Sequence, residues 1–169
     1  NPESRICTYV CCWPDYPNTF LKSPLIESRN IPWFVSYLNL DGFLRWNYTV
    51  WPKQPRENII YRAWPAGDMN FVYPGNTGKP VLSLRYFCLR RGIVDFEFIN
   101  MCKNISGGVQ VVEKAFRKIF KFQNPEMIYD GNLTPYDLYS FNYSDYESAR
   151  IEILDFLEKM KTDKHNKTN

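Results

Sequence analysis

Histidine is nearly missing from this sequence. Of 169 residues only His165 is one, and it sits in the polar run 161–169 that closes the chain. Chain ends of that composition usually fray. A Ser-His-Asp or Cys-His mechanism therefore lacks a base, and a histidine-built zinc centre lacks its ligands. Neighbouring carboxylates are missing too, since no Asp stands beside a Glu anywhere in the chain. The best local pair, Asp95 and Glu97, is two residues apart on a helical stretch, where side chains point in different directions. These two read as surface or salt-bridging groups. An excess of one charge is also lacking. Lys+Arg 21 against Asp+Glu 18 leaves +3, too weak a field to expect nucleic acid or an anionic membrane as partner. No apolar run approaches the roughly 18 residues of a membrane span, and no secretory leader is recognised at Asn1. The five cysteines, Cys7, Cys11, Cys12, Cys88 and Cys102, show no CxxC spacing, which argues against a zinc ribbon. Neither metal nor cofactor is expected.

What the chain does have is aromatic surface. Twelve Tyr, twelve Phe and five Trp make 17% of it, and hydrophobic residues at 44% exclude a disordered polymer. One domain is the default at this length. Cys7 and Cys11 would share one face of a strand, and the cysteines read as small buried hydrophobes. Sequons at Asn47, Asn104, Asn132, Asn142 and Asn166 are what an Asn-, Ser- and Thr-rich sequence produces by chance. The abrupt start at Asn1 and Pro2, almost directly before a strand, reads as a cut end.

Residues 6–12 form a short apolar run closed by Trp13 and Pro14, the pattern of a buried strand. Residues 24–38 read as a helix with Leu25, Trp33, Phe34 and Leu38 inward and a kink at Pro32. A turn at 39–42 leads into a second strand, 43–46. Residues 47–68 carry Pro52, Pro55 and Pro65 and no periodicity. Long structured loops of this kind are often functional. A third strand is expected at 70–73, a helix at 81–102, and a second helix at 109–122 after Gly107 and Gly108. Ser144, with Glu147 at the capping-box position, opens a last helix to about 160. Short buried strands alternating with helices argue for an α/β fold with a parallel sheet. Three strands make a poor sheet alone, and a complete (β/α)₈ barrel needs about 250 residues, commonly at least 200. The expected fold is the C-terminal portion of such a TIM barrel, about three adjacent parallel strands, followed by C-terminal helices. The expected divisions are 1–103 for the barrel part, 104–160 for a helical extension and 161–169 for a disordered polar tail.

Barrel active sites lie at the C-terminal ends of the strands. That rule selects Tyr9 and Trp13 at the first strand, Trp46, Tyr48 and Trp51 at and beyond the second, and Tyr73 at the third. Asp41 and Asp68 precede their strands and read as turn residues. Flat aromatic faces with polar edges suit pyranose rings, which offer apolar C–H faces and hydroxyl rims. A glycosidase normally needs two carboxyl groups across the scissile bond, and no such dyad is evident.

Four segments in order are similar to the end of the catalytic domain of glycoside hydrolase family 123: DGFLRW at 41–46, FVYPG at 71–75, LRYFCLRRGIVDFE at 84–97, and the stretch 13–33 with Pro17, Asn18, Glu27 and Arg29. The resemblance covers roughly residues 5–103. Val94 departs from it, because the family commonly has an acidic residue there. The resemblance implies a (β/α)₈ β-N-acetylgalactosaminidase that retains configuration by substrate-assisted catalysis on glycolipid glycans. The substrate's acetamido oxygen attacks the anomeric carbon while an adjacent Asp-Glu pair orients it and protonates the leaving group. That pair lies upstream of the matched region, so no catalytic residue is transferred to this chain. The expected partners are an N-acetylhexosamine-containing glycan and the missing N-terminal part of the barrel. The resemblance also implies a secreted or cell-surface setting. The competing expectation is a non-catalytic carbohydrate-binding or assembly module.

Overall fold

A computed structural model describes residues 4–166. Two compact units divide the chain between Ile93 and Val94. The first unit begins with β1 (Cys7–Val10), followed by α1 (Leu25–Tyr37) and β2 (Gly42–Arg45). β1 and β2 pair in parallel, from Cys7 opposite Gly42 to Val10 opposite Arg45. Their N-terminal ends are clamped by Asp41. Its backbone N–H donates to the Ile6 carbonyl at 2.8 Å, and its Oδ2 accepts from the Ile6 N–H at 2.7 Å. Asp41 thus fills the turn role its sequence position implied.

The connection through α1 is buried on every face from Glu27 to Ser36, the signature of a helix inside a core. Pro32 lies within it. The helix stops at Asn39, whose φ of 53° is left-handed, a conformation Asn tolerates better than most residues. Gly92 fixes how closely the next helix approaches. A Cβ there would lie 2.3 Å from the Arg29 carbonyl oxygen and 3.0 Å from Pro32 Cδ. Mid-helix Gly→Ala ordinarily stabilises by about 1 kcal/mol. Here the sign reverses: Gly92→Ala is expected to cost about 1–3 kcal/mol by overpacking. A lower urea midpoint with unchanged slope is the readout.

The third strand departs from expectation. β3 (Val72–Tyr73) does not extend the β1–β2 sheet. It pairs antiparallel with β4 (Val81–Leu82), in a sheet of its own. On its way in, the chain is also bridged antiparallel by the loop, with Thr49 opposite Asn70. The Val50 N–H donates to the Met69 carbonyl and the Phe71 N–H to the Tyr48 carbonyl. The backbone of 69–73 thus finds partners in 48–50 and 81–82. The expectation of three adjacent parallel strands holds for the first two only. Residues 81–82 are strand rather than helix because Ser83 sets the start of α2 (Leu84–Lys103). Its Oγ accepts from the Tyr86 N–H at 3.2 Å and donates to the Phe71 carbonyl at 2.6 Å.

The second unit holds the rest of α2, α3 (Gly108–Ile119), a 3₁₀ turn (Pro125–Tyr129), α4 (Pro135–Leu138) and α5 (Tyr143–Asn166). Gly107 turns the chain at φ 82° into α3. α3 buries Val112, Ala115, Phe116 and Ile119, and α5 buries Tyr146, Ala149 and Ile153. Asn142, not Ser144, caps α5, accepting from the Ser144 N–H at 3.3 Å. The helix continues through residues expected to be a disordered tail as far as Asn166, and 167–169 lie outside the described residues. Asp95 is buried and ion-paired with Arg150 Nε at 2.9 Å, so it is salt-bridging as expected, though not on the surface. Glu97 is exposed. Among the described residues no helix is long and apolar enough to cross a membrane.

Candidate functional site

The parallel register carries Val10 and Arg45 to the same edge, so the segments beyond them emerge side by side. Trp46, the first residue past β2, donates from Nε1 to Asp68 Oδ1 at 3.3 Å. Its ring lies against Trp64 from the long loop, with centroids 5.3 Å apart and planes inclined by 52°. Asp68 follows a turn in which its N–H donates to the Pro65 carbonyl at 3.0 Å. That much fits a turn residue. The side chain does not: it is 0% exposed, and its Oδ2 has no hydrogen-bond partner. Burial raises the Asp68 carboxyl above its ordinary range, while the Trp46 N–H and the Arg45 guanidinium draw it back down.

Two arginines, Arg45 half-buried and Arg85 buried, hold the floor beneath these groups. Arg45 donates to Thr19 Oγ1 at 2.5 Å, to the Gly67 carbonyl at 2.7 Å and to the Asp68 carbonyl. Arg85, from α2, donates to the Thr19 carbonyl, to Gly67 at 2.9 Å and to Asn70 at 2.9 Å. Both guanidinium groups lie over the Phe71 ring, 5.5 and 5.4 Å from its centroid. Burial, aided by repulsion from Arg85, lowers Arg45 to about 10, which leaves it charged at neutral pH. The two cations tie the segment after β1, the long loop and the approach to β3 into one piece.

The aromatic residues selected from sequence divide into two groups. Tyr9 lies on β1 opposite Leu44 and is raised in pKa by desolvation, then by the nearby Cys11 and Asp68. Trp13 is 60% exposed and accepts the Cys11 thiol at its carbonyl, 3.4 Å away. With Trp46, these belong to the exits of β1 and β2. Tyr48, Trp51 and Tyr73 belong to the β3 side. The Tyr48 ring stands 6.1 Å from Phe71. Trp51 spends its indole N–H on the Val72 carbonyl at 2.7 Å, and Tyr73 lies beside the Arg85 guanidinium. Asp68, Trp64, Arg45 and Arg85 were not selected from sequence. A Gly-Asp pair looks like a turn, and charged residues default to the surface. The only signal was that Asp68 and Trp64 sit in or at the end of a long loop.

The cysteines depart from the buried reading. All five are free, and only Cys102 is buried; Cys7 is exposed, and Cys11, Cys12 and Cys88 are half-buried. Cys11 and Cys12 place their sulfurs 3.8 Å apart. Among the described residues, no group of three or more His, Cys, Asp or Glu could hold a metal ion.

Residues 1–102 match the family described as "Glycoside hydrolase 123, catalytic domain". A solved structure of a family 123 glycoside hydrolase from Clostridium perfringens, determined for its hydrolysis of glycolipid glycans, is similar over 90% of this chain, with TM-score 0.68 and 23% identity. The chain spans 27% of that protein's length. No curated protein matches.

Proposed function

This chain belongs to glycoside hydrolase family 123, and from that membership we propose that it is the C-terminal part of a (β/α)₈ hydrolase barrel and supplies one wall of a saccharide pocket. The observation that carries the reading is the shared C-terminal edge of β1 and β2, where Tyr9 and Trp46 lie near a buried carboxylate and the segment after β1 carries the exposed Trp13. A second feature supports the barrel. Parallel strands normally have both faces covered and their edges paired. Here Ile6 is 67% and Leu44 58% exposed, and two strands alone leave two open edges. Preceding strands of a barrel would cover them. The substrate is an N-acetylhexosamine-containing glycan, of the glycolipid class acted on by the Clostridium perfringens relative. In this reading the reaction is retaining and substrate-assisted. This chain contributes no catalytic carboxylate, and an Asp-Glu pair upstream of residue 1 provides the acid.

The reading sets an expected result for the 169-residue chain by itself. It should release no product from an aryl N-acetylgalactosaminide, whereas the intact encoded protein should. Asp95 is held by Arg150, so Asp95→Asn in the intact protein should lower stability without abolishing turnover in the folded fraction. Hydrolysis by the 169-residue chain that disappears with Asp95→Asn or Glu97→Gln would overturn the assignment. An intact protein that binds the sugar but never hydrolyses it would favour a binding module instead.

A further inference from the structure

Asp68 is poorly explained by stability. Its carboxylate is wholly enclosed, one oxygen has no partner, and the other receives a single long hydrogen bond from Trp46. Buried polar atoms are normally paired, and an orphaned one is costly. The titratable groups around it are Arg45 on β2, Tyr9 on β1 and Cys12 just beyond β1, of which only Arg45 is charged at neutral pH. Of these, the Arg45 guanidinium is aimed at backbone carbonyls, including that of Asp68, rather than at the carboxylate. What the carboxylate does grip is the edge of one aromatic ring at the mouth of β2. Residues that break local rules at a stability cost mark functional sites.

We infer that Asp68 is a positioning residue of the saccharide site, its carboxylate fixing the Trp46 indole through Nε1 in the orientation that stacks on a pyranose. This rests on the carbohydrate reading above. Trp64 supports the indole from its other contact, 5.3 Å away, so the Asp68 bond selects among the rotations that the ring contact permits. Without it the indole must be ordered when sugar binds, and that ordering lowers affinity.

The carboxyl's direction of shift gives the sign of a pH test. Because the folded value is raised, the folded state holds the proton more tightly than the unfolded chain. Stability therefore falls as pH rises from the ordinary carboxylate range through the folded value. Above the folded value the ionised group is unfavourable to folding, so there Asp68→Asn should melt no lower than wild type.

The experiment follows the Trp46 indole N–H by NMR in the intact encoded protein, identified by its loss in Trp46→Phe, with N-acetylgalactosamine as the titrated probe. In wild type the resonance should move with pH at a midpoint above the ordinary carboxylate range. In Asp68→Asn, whose amide oxygen still accepts the N–H, that movement should vanish while Kd changes little and Tm is maintained. Asp68→Ala, which cannot accept the N–H, should raise Kd roughly tenfold. An indole that titrates identically in Asp68→Asn, or an unchanged Kd in Asp68→Ala, would overturn the role of Asp68 while leaving the carbohydrate reading standing. Wild-type protein with the indole response but no affinity for the sugar would overturn the carbohydrate reading, and the saccharide role of Asp68 with it.

Discussion

Arg85→Ala is expected to destabilise the first unit by about 3 kcal/mol, the sum for buried carbonyls that lose a charged donor. The guanidinium satisfies the carbonyls of Thr19, Gly67 and Asn70 from one planar group. Those acceptors sit in three segments that share no secondary structure. Removing the fork leaves the Thr19 and Asn70 carbonyls to find other partners, at about 1–3 kcal/mol each where none exists, while Gly67 keeps its bond from Arg45. Lysine cannot replace it, because one ammonium does not reproduce the fork geometry. Arg85→Lys should recover only part of the loss, and Arg85→Met should resemble alanine despite keeping apolar contact with Phe71. At roughly 2–4 °C per kcal/mol for a chain of this size, Tm should fall by about 10 °C. A fall within the about 0.5 kcal/mol of an ordinary surface substitution would contradict the buried-fork reading.

That arginine also shows where sequence reasoning stopped. The helices were legible because apolar spacing is local. α1, the body of α2, α3 and α5 all occupy the segments that periodicity indicated. β1 and β2 were legible as a parallel pair because a helix-length crossover separates two short apolar runs. The pairing of β3 was not, since the pattern of 70–73 is the same whichever neighbour takes its hydrogen bonds. Its partners were set by the backtracking of residues 48–50 and by the reversal through 74–80, neither of which has a periodic signal. Cys7 was misread for a related reason. Its alternation is right, but the face it occupies is exposed in this chain. The polar groups around the proposed aromatic wall were not legible. Asp68 obeys turn chemistry in its backbone and departs from it only in its side chain. Arg45 and Arg85 turn inward because irregular backbone around Gly67 needs donors, a need that appears only once the chain is folded.

Trp46→Ala should have the largest functional effect. The indole stands at the end of β2, held at Nε1 by Asp68 and flanked by Trp64. Stacking a pyranose on it would bury apolar area on both partners, at about 25 cal/mol per Å². Truncating a desolvated aromatic contact commonly costs about 2 kcal/mol or more in binding. In the intact enzyme, kcat/KM should therefore fall by roughly thirtyfold or more, at 1.4 kcal/mol per decade. If the indole serves only to pack against Trp64 and shield Asp68, the same change should lower Tm and leave the kinetics of the folded fraction near normal. Trp46→Phe keeps a stacking face and loses the N–H, so it should fall between wild type and alanine. Measuring Tm and kcat/KM on one preparation separates the two roles.

The most direct measurement is a crystal structure of the intact encoded protein with N-acetylgalactosamine bound. The sugar ring should lie against the Trp46 indole beside the C-terminal ends of β1 and β2, with the Trp46 Nε1 to Asp68 bond retained. A sugar bound elsewhere, with Tyr9, Trp13 and Trp46 covered by other parts of the protein, would contradict the assignment of this edge as the saccharide wall.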